Sequence, residues 1–568
     1  MANFTVTAET SGYGFSISSL NFNWFSQNAY NSGAVTNANV SFEGTVYPDQ
    51  IFYDARGSGI DHQIEFLGTG ITGNLTTGIT GGTIQAIAEQ DNNGNVLLAY
   101  ASGLSLSAVE LYNAILTPSN TDDINVFASG FSGNDTITLS NGTDYMGGFS
   151  GDDTIYGMGG NDYLFGGPGN DSIDGGSGID RAIYSVSRSQ ATITHDPVSH
   201  TLTVSAGADG TDTLQRVEQL SFSDGLYSFL FTNPGTPVVA NFNPANGWTS
   251  QDQFPRHLAD VNGDGYMDIV GFGYSGMLVS YGSASGKFSG AGLVISDFGQ
   301  TKGWSTDNQF HRTLADVNGD GRADIVGFGY AGTLVSLAKP DGTYTSPSVG
   351  IADFGPNQGW ASQNGYARAV ADVNGDGKAD IVGFGTAGTW VSLGNGDGTF
   401  QPVKLGIANF GVNQGWTSDN TYHRVLADVN GDGKADIVGF GIAGTWVALS
   451  NGDGTFADAQ LALFNFGANQ GWSNNDTYNR VVTDVNHDGL ADIVGFGIAG
   501  TYVAFGNGNG FFSDPSLDVA NFNPAQGWTS DNTYHREVSD MNHDGLADVV
   551  GFGIAGVLVG QNQGDFLI

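Results

Sequence analysis

The sequence predicts an all-β protein, and three observations carry that reading. A nine-residue Gly/Asp period runs through residues 130–183, and a fifty-six-residue period runs through residues 233–568. The stretch ahead of both alternates short apolar runs with turn residues. We therefore expect a β-rich N-terminal domain over 1–128, a parallel β-roll over 129–183 with a cap over 184–232, and a six-repeat β-propeller over 233–568.

The 568 residues carry 57 Asp+Glu against 17 Lys+Arg, a formal net charge of −40, and no cysteine. Phosphate binding needs clustered cations, so nucleic acid is excluded as a partner and an anionic membrane surface is disfavoured. Without cysteine there is no disulfide, thiolate nucleophile or Cys-zinc site. No apolar run reaches membrane-spanning length. The opening MANFTVTAET has neither a basic n-region nor an apolar h-region, so no conventional secretory signal is expected. So many carboxylates call for a counter-cation, and a hard divalent metal suits oxygen ligands.

In the N-terminal region FTVTAE, VSFEGTVY and TIQAIAEQ read as strands. Ser107 and Glu110 form a capping box for one short helix at Ala108–Leu116. Thr117-Pro118-Ser119-Asn120 then leads to the repeats. His62 beside Asp61 is read as structural or solvated, and no activity is assigned to this region.

The nine-residue array is GFSGNDTIT, LSNGTDYMG, GFSGDDTIY, GMGGNDYLF, GGPGNDSID and GGSGIDRAI. Asp135, Asp144, Asp153, Asp162, Asp171 and Asp180 fall nine apart, and Ile137, Met146, Ile155, Leu164, Ile173 and Ala182 follow each by two. Glycine permits tight turns, the apolar residue points inward, and the Asp is expected to point out at the turn toward an equivalent Asp one coil away. Stacked carboxylates repel unless a cation lies between them, so coil formation should require Ca²⁺. LSNGTDYMG departs most from the pattern. In the cap, THDPVSHTLTVSAGADGTDTLQRVEQLSFSDG reads as short strands.

In the second array Trp248, Trp304, Trp360, Trp416, Trp472 and Trp528 fall 56 apart. Runs such as LADV, ADIVGFG and GTWVALS between Gly/Asp/Asn turns give four short strands per unit, the size of a propeller blade. The last unit lacks its final strand, and Val238–Phe242 is expected to supply it and leave no open edge.

Each unit carries a D-x-N-x-D-G-x-x-D loop whose oxygens can wrap one Ca²⁺. The donors are Asp260, Asn262, Asp264 and Asp268; Asp316, Asn318, Asp320 and Asp324; Asp372, Asn374, Asp376 and Asp380. They continue as Asp428, Asn430, Asp432 and Asp436; Asp484, Asn486, Asp488 and Asp492; Asp540, Asn542, Asp544 and Asp548. The last two loops place His487 and His543 where the others have Gly.

Eight residues after each Trp stands Arg256, Arg312, Arg368, Arg424, Arg480 or Arg536, and His311, His423 and His535 precede three of them. Trp, Phe/Tyr, His/Arg and Asp/Asn within nine residues offer a sugar a ring to stack on, donors and acceptors. The same residues can equally pack blade against blade, with Arg paired to a calcium-loop carboxylate. The additional Trp390 and Trp446 are expected to fill strand faces.

The nonapeptide array resembles the RTX (hemolysin-type) calcium-binding repeat family, whose pattern is GGxGxDxUx. The loops sit between strands as in FG-GAP/VCBS-type propellers. The order NQGW…R…ADVNGDGKADIVGFGIAGTWVALSNGDGTF is similar to the repeat of the Psathyrella velutina lectin family, fungal seven-bladed propellers that bind N-acetylglucosamine between blades. That resemblance implies repeated carbohydrate sites over the six Trp, the six Arg and the three His positions. It also implies Ca²⁺ as cofactor and carbohydrate or polysaccharide as partner. The C-terminal Asp565-Phe566-Leu567-Ile568 resembles the acidic-then-apolar tail of type I secretion substrates.

There is no HExxH, GxSxG, P-loop or cysteine nucleophile, so no enzyme is expected. The reading is a secreted, calcium-dependent, multivalent carbohydrate-binding protein. Its rival is a calcium-dependent, self-assembling surface or matrix protein, and a glycan-degrading enzyme stands third.

Overall fold

In the computed structural model the described residues are 3–6, 13–16, 29–35, 40–42, 45–57, 60–76, 78–91, 96–116, 120–196, 201–228, 231–284 and 286–562. The secretion-like tail at 565–568 lies outside them, as do the side chains of Asp61 and His62. The described residues divide into two compact units, one within 1–227 and one within 228–564.

In the first unit Asp49–Gly57, Ile60–Asn74, Gly78–Asp91 and Val96–Ser107 form an antiparallel meander. Asn3–Val6 lies antiparallel to Val96–Ser107 on one side and parallel to Thr136–Thr138 on the other, so the meander continues directly into the roll. The expected helix forms at Ala108–Ile115, with Ser107 Oγ accepting the Glu110 N–H at 3.3 Å. A second helix, Asn120–Gly130, was not expected. It carries Phe127, which stacks on Phe131 at 4.9 Å and closes the apolar end of the roll beside Phe149.

The roll is two parallel sheets fed alternately by successive nonapeptides. Thr136–Thr138, Thr154–Tyr156 and Ser172–Asp174 stack in one, and Thr143–Gly147, Tyr163–Phe165 and Arg181–Ile183 in the other, so each coil is eighteen residues. The six periodic apolar residues are fully buried between them. Coils approach so closely that a Cβ on Gly178, at φ +128°, would lie 1.8 Å from the Gly160 carbonyl oxygen. In the cap, Thr211–Gln215 and Gln219–Phe222 pair parallel with the last strand of each sheet and add one more coil.

In the second unit each fifty-six-residue repeat folds into an antiparallel sheet. The inner strands Arg256–Ala259, Arg312–Ala315, Arg368–Ala371, Arg424–Ala427, Arg480–Thr483 and Arg536–Ser539 pack in cyclic order, the last against the first. A ring of hydrogen bonds follows the same cycle. Asp252, Asn308, Asn364, Asn420, Asp476 and Asn532 each accept the backbone N–H of the next through a side-chain oxygen at 2.7–2.9 Å, ending on Asp252. The last sheet is completed at Val238 and Val239, which exchange backbone hydrogen bonds with Val557 at 2.8 and 2.9 Å. This pairing starts at the front of the expected Val238–Phe242 strand and does not extend along it, because Phe242 turns to φ +57°.

Candidate functional site

The nonapeptide carboxylates are buried, which corrects the expectation that they point outward. Each is drawn in by the coil before it. Asp153, Asp162, Asp171 and Asp180 accept through Oδ1 the backbone N–H of Asp135, Asp144, Asp153 and Asp162, eighteen residues earlier, at 2.7–2.8 Å. The Oδ2 atoms of these four make no hydrogen bond. Each Oδ2 faces a space that only glycine leaves open, since a Cβ on Gly148, Gly157, Gly166 or Gly175 would come within 2.0–2.5 Å of Asp153, Asp162, Asp171 or Asp180 Oδ2. Burial pushes Asp153 up to about 7, Asp162 to about 8, Asp171 to about 6 and Asp180 to about 7. Buried carboxylate oxygens without donors are the hard ligands that Ca²⁺ takes. In LSNGTDYMG, Ser140 donates both its N–H and its hydroxyl to Asp144 Oδ2 at 2.9 Å, so that oxygen is already engaged.

Two rungs of this ladder escaped sequence reasoning. Asp212 Oδ1 accepts from Asp171 N–H at 3.0 Å, and Glu218 accepts from Asp180 N–H. The signal was present, because Gly210-Thr211-Asp212-Thr213-Leu214 repeats Gly133-Asn134-Asp135-Thr136-Ile137. A hairpin of Thr192–Asp196 and Thr201–Ser205, inserted between Asp180 and Asp212, hides it from a fixed nine-residue count.

The six propeller loops share one geometry. Asp260 Oδ1 accepts from Gly263 N–H at 2.7 Å and Oδ2 from Gly265 N–H at 2.8 Å, while Asn262 Oδ1 accepts from Asp264 N–H. Asp268 is buried and turned to the strands: its oxygens accept the N–H groups of Val261 and Gly282 at 3.1 and 2.8 Å. Burial pushes it up to about 7. In three repeats a cation sits over the loop, with Arg322 on Asp320, Lys378 on Asp376 and Lys434 on Asp432. His487 and His543 take φ +63° and +64°, a left-handed conformation costing roughly 1 kcal/mol each. Among the described residues no group of three or more His, Cys, Asp or Glu side chains converges to hold a metal.

The six arginines lie inside the blade interfaces, at most 3% exposed. Arg424 donates to the Phe410 carbonyl at 3.0 Å and lays its guanidinium over the Phe384 ring of the preceding repeat at 5.1 Å. The set is cyclic, since Arg256 covers Phe552 at 5.2 Å. The carbonyl that Arg424 holds belongs to a residue at φ +60°, and the equivalent Phe has positive φ in all six repeats.

His311, His423 and His535 donate or accept at Nδ1 with Asp307, Asp419 and Asp531 at 2.6–2.8 Å. Burial alone would raise these carboxyls, but the adjacent imidazole and guanidinium outweigh it and hold all three below the ordinary range. In repeats one, three and five the corresponding partner of Arg is a neutral amide, Gln251, Gln363 or Asn475. Between the last and first repeats, Glu537 meets His535 Nε2 at 2.9 Å and His257 Nδ1 at 3.4 Å.

The six repeat tryptophans are 6–8% exposed. Each ring rests on the first glycine of GFG, and a Cβ on Gly439 would meet Trp416 at 2.6 Å. The visible edges of Trp416 and Trp472 line recesses on their blades. One, of about 380 Å³, is bounded by Trp416, Tyr422, Trp446, Ile442, Gln414 and Asn409. One repeat later, about 440 Å³ is bounded by Trp472, Tyr478, Tyr502, Ile498, Gln470 and Asn465. Trp446 thus forms a pocket wall in addition to covering its strand. Its partners Ile442, Gln414 and Asn409 were not singled out from sequence, because single polar or aliphatic residues in loops carry no pattern of their own.

The FG-GAP-like repeat model matches residues 260–327, 316–383, 372–439 and 428–495. The model for the RTX calcium-binding nonapeptide repeat (4 copies) matches 125–146 and 147–182. A search of curated proteins found no match. Among solved structures the chain is similar to an Agrocybe aegerita lectin that specifically recognises non-reducing terminal N-acetylglucosamine. The identity is 36%, over 64% of this chain and 85% of the lectin, with a TM-score of 0.49. It is also similar to a Photorhabdus luminescens Tc holotoxin pore at 15% identity and TM-score 0.40, spanning 64% of this chain and 16% of that one. The V. cholerae biofilm matrix protein Bap1 matches at 10% identity and TM-score 0.23, over 94% and 88%. Among the described residues no helix is long and apolar enough to cross a membrane. The chain carries RTX calcium-binding nonapeptide repeats followed by FG-GAP-like repeats.

Proposed function

We propose that this protein is an exported, calcium-dependent lectin that binds terminal N-acetylated sugars in pockets on its propeller blades. The observation that carries the reading is the pair of equivalent pockets over Trp416 and Trp472, with aromatic walls, an exposed isoleucine and two amides in each. Such walls suit the C–H face of a pyranose and its acetamido methyl, and amides suit hydroxyls and the acetamido group. The 36% identity to a lectin that recognises N-acetylglucosamine supports the sugar class.

We assign the sugar contacts to the Trp edge, the second aromatic, the isoleucine and the amides. The arginines and the three histidines hold the ring together instead. Calcium acts upstream of binding: Asp153, Asp162, Asp171 and Asp180 Oδ2 are its ligands in the roll, and the six propeller loops are further sites once Asp and Asn oxygens turn from their backbone donors. In low calcium, carboxylate repulsion keeps the roll open for type I export, and millimolar calcium outside folds it. Several weak pockets on one ring then give avidity for a glycan-coated surface.

A glycan array with and without EGTA tests this. Binding to N-acetylglucosamine-terminated glycans that is lost in EGTA and restored by calcium is expected. Ordered calcium-dependent sheets with no glycan bound would favour a matrix role, and release of reducing sugar would favour an enzyme.

A further inference from the structure

We infer that the six repeats are not six equivalent sugar sites: only repeats three to five, which carry Trp390, Trp446 and Tyr502, bind. This deepens the carbohydrate reading and rests on it.

The repeats are nearly uniform where residues pack. Trp, Arg, the GFG glycine and the loop aspartates recur in all six. The third strand changes between aliphatic and aromatic at one position, which reads Leu278, Leu334, Trp390, Trp446, Tyr502 and Leu558. In every repeat this side chain is half-buried, so it is not a core position whose volume packing fixes. In repeats four and five the aromatic forms the wall of the pocket. Leucine offers no flat π-face for a pyranose.

A second position also differs among the repeats. The amide donated by Gln414 reaches the Ala387 carbonyl of the preceding repeat at 3.3 Å, and that of Gln470 reaches Ala443 at 3.2 Å. Repeat three has the same residue, Gln358, but repeats one and two have Asn246 and Lys302. Repeat six keeps Gln526 yet has Leu558. Both features coincide only in repeats three, four and five.

The tip of the second hairpin does not follow this division: Ile442 and Ile498 stand open at 57% and 71% exposure, but so does Ile554 of repeat six at 67%, and repeat three has Thr386. In repeat two the tip residue Tyr330, itself 56% exposed, packs edge-on against Phe310 at 4.7 Å. The two coinciding positions make the binding surface one arc of three adjacent blades, suited to neighbouring termini on a single glycan or a dense coat.

Calorimetric titration of the full-length, calcium-loaded protein with N-acetylglucosamine, cross-checked by native mass spectrometry, measures the number of sites. Three are expected. Trp446→Leu and Tyr502→Leu install the residue that three other repeats already carry, so folding is preserved, and each should remove one site, with affinity there weakened at least 10-fold. Leu558→Trp, in the repeat that already has Gln526, should add a fourth. Six sites in the wild type, or an unchanged number in the Trp446→Leu/Tyr502→Leu double variant, would overturn the inference while leaving the lectin reading intact. No binding by the wild type would remove the lectin reading and this inference together.

Discussion

Stripping calcium at a series of pH values isolates the electrostatics of the roll. With no metal present, burial lifts Asp153 from 3.8 to about 7, Asp162 to about 8 and Asp171 to about 6. A carboxyl whose folded value lies above its unfolded one is protonated in the folded state at pH values where the unfolded chain has already released the proton. Stability is then present at low pH and lost as pH rises from about 4 to about 8. The Asp153 change alone corresponds to at most about 4 kcal/mol, and less once solvent screening is counted, against a total of roughly 5–15 kcal/mol for an ordinary domain. Two or three such ionisations on one ladder suffice to open the metal-free roll near neutrality. Calcium supplies the missing charge and removes the pH dependence. The assay is thermal unfolding followed by far-ultraviolet circular dichroism at pH 5, 6.5 and 8, in EGTA and in millimolar calcium. In EGTA the roll transition should fall steeply between pH 5 and 8 and be absent at the upper end, while in calcium it should stay level. A metal-free transition that is flat with pH, or higher at pH 8, would refute the reasoning.

Other outcomes follow from single contacts. His535, opposed by burial but raised to about 9 by Asp531 and Glu537, contributes on the order of 3 kcal/mol that is complete below pH 6.5 and lost as pH rises to 9, so its NMR titration should centre near 9 and calcium-loaded propeller stability should decline over that interval. Arg424→Met leaves Asp419 buried without its guanidinium and frees the Phe410 carbonyl, and should cost about 3–5 kcal/mol in urea unfolding. Gly439→Ala drives a methyl into Trp416 and should destabilise by about 1–3 kcal/mol while lowering tryptophan burial measured by acrylamide quenching.

Both periods were legible because repetition multiplies a weak local signal. The buried apolar residue two after each nonapeptide Asp, and the Trp over the GFG glycine, are required six times by the same packing. What stayed hidden depends on chain segments far apart in sequence. Asn3–Val6 joins the roll by pairing with Thr136–Thr138, and Asp212 stacks under Asp171 across an inserted hairpin. The arginines were visible as a period, but their role was not, since only the fold brings Arg424 over Phe384. The outward-pointing Asp was expected because a lone carboxylate prefers water, whereas the N–H of the previous coil draws it inside.

The measurement that bears most directly on the account is a crystal structure of the calcium-loaded protein soaked with N-acetylglucosamine. The account predicts a pyranose face against Trp446 and another against Tyr502, in the recesses edged by Trp416 and Trp472. Sugar bound elsewhere on the ring with those recesses empty, or no sugar at saturating concentration, would contradict it.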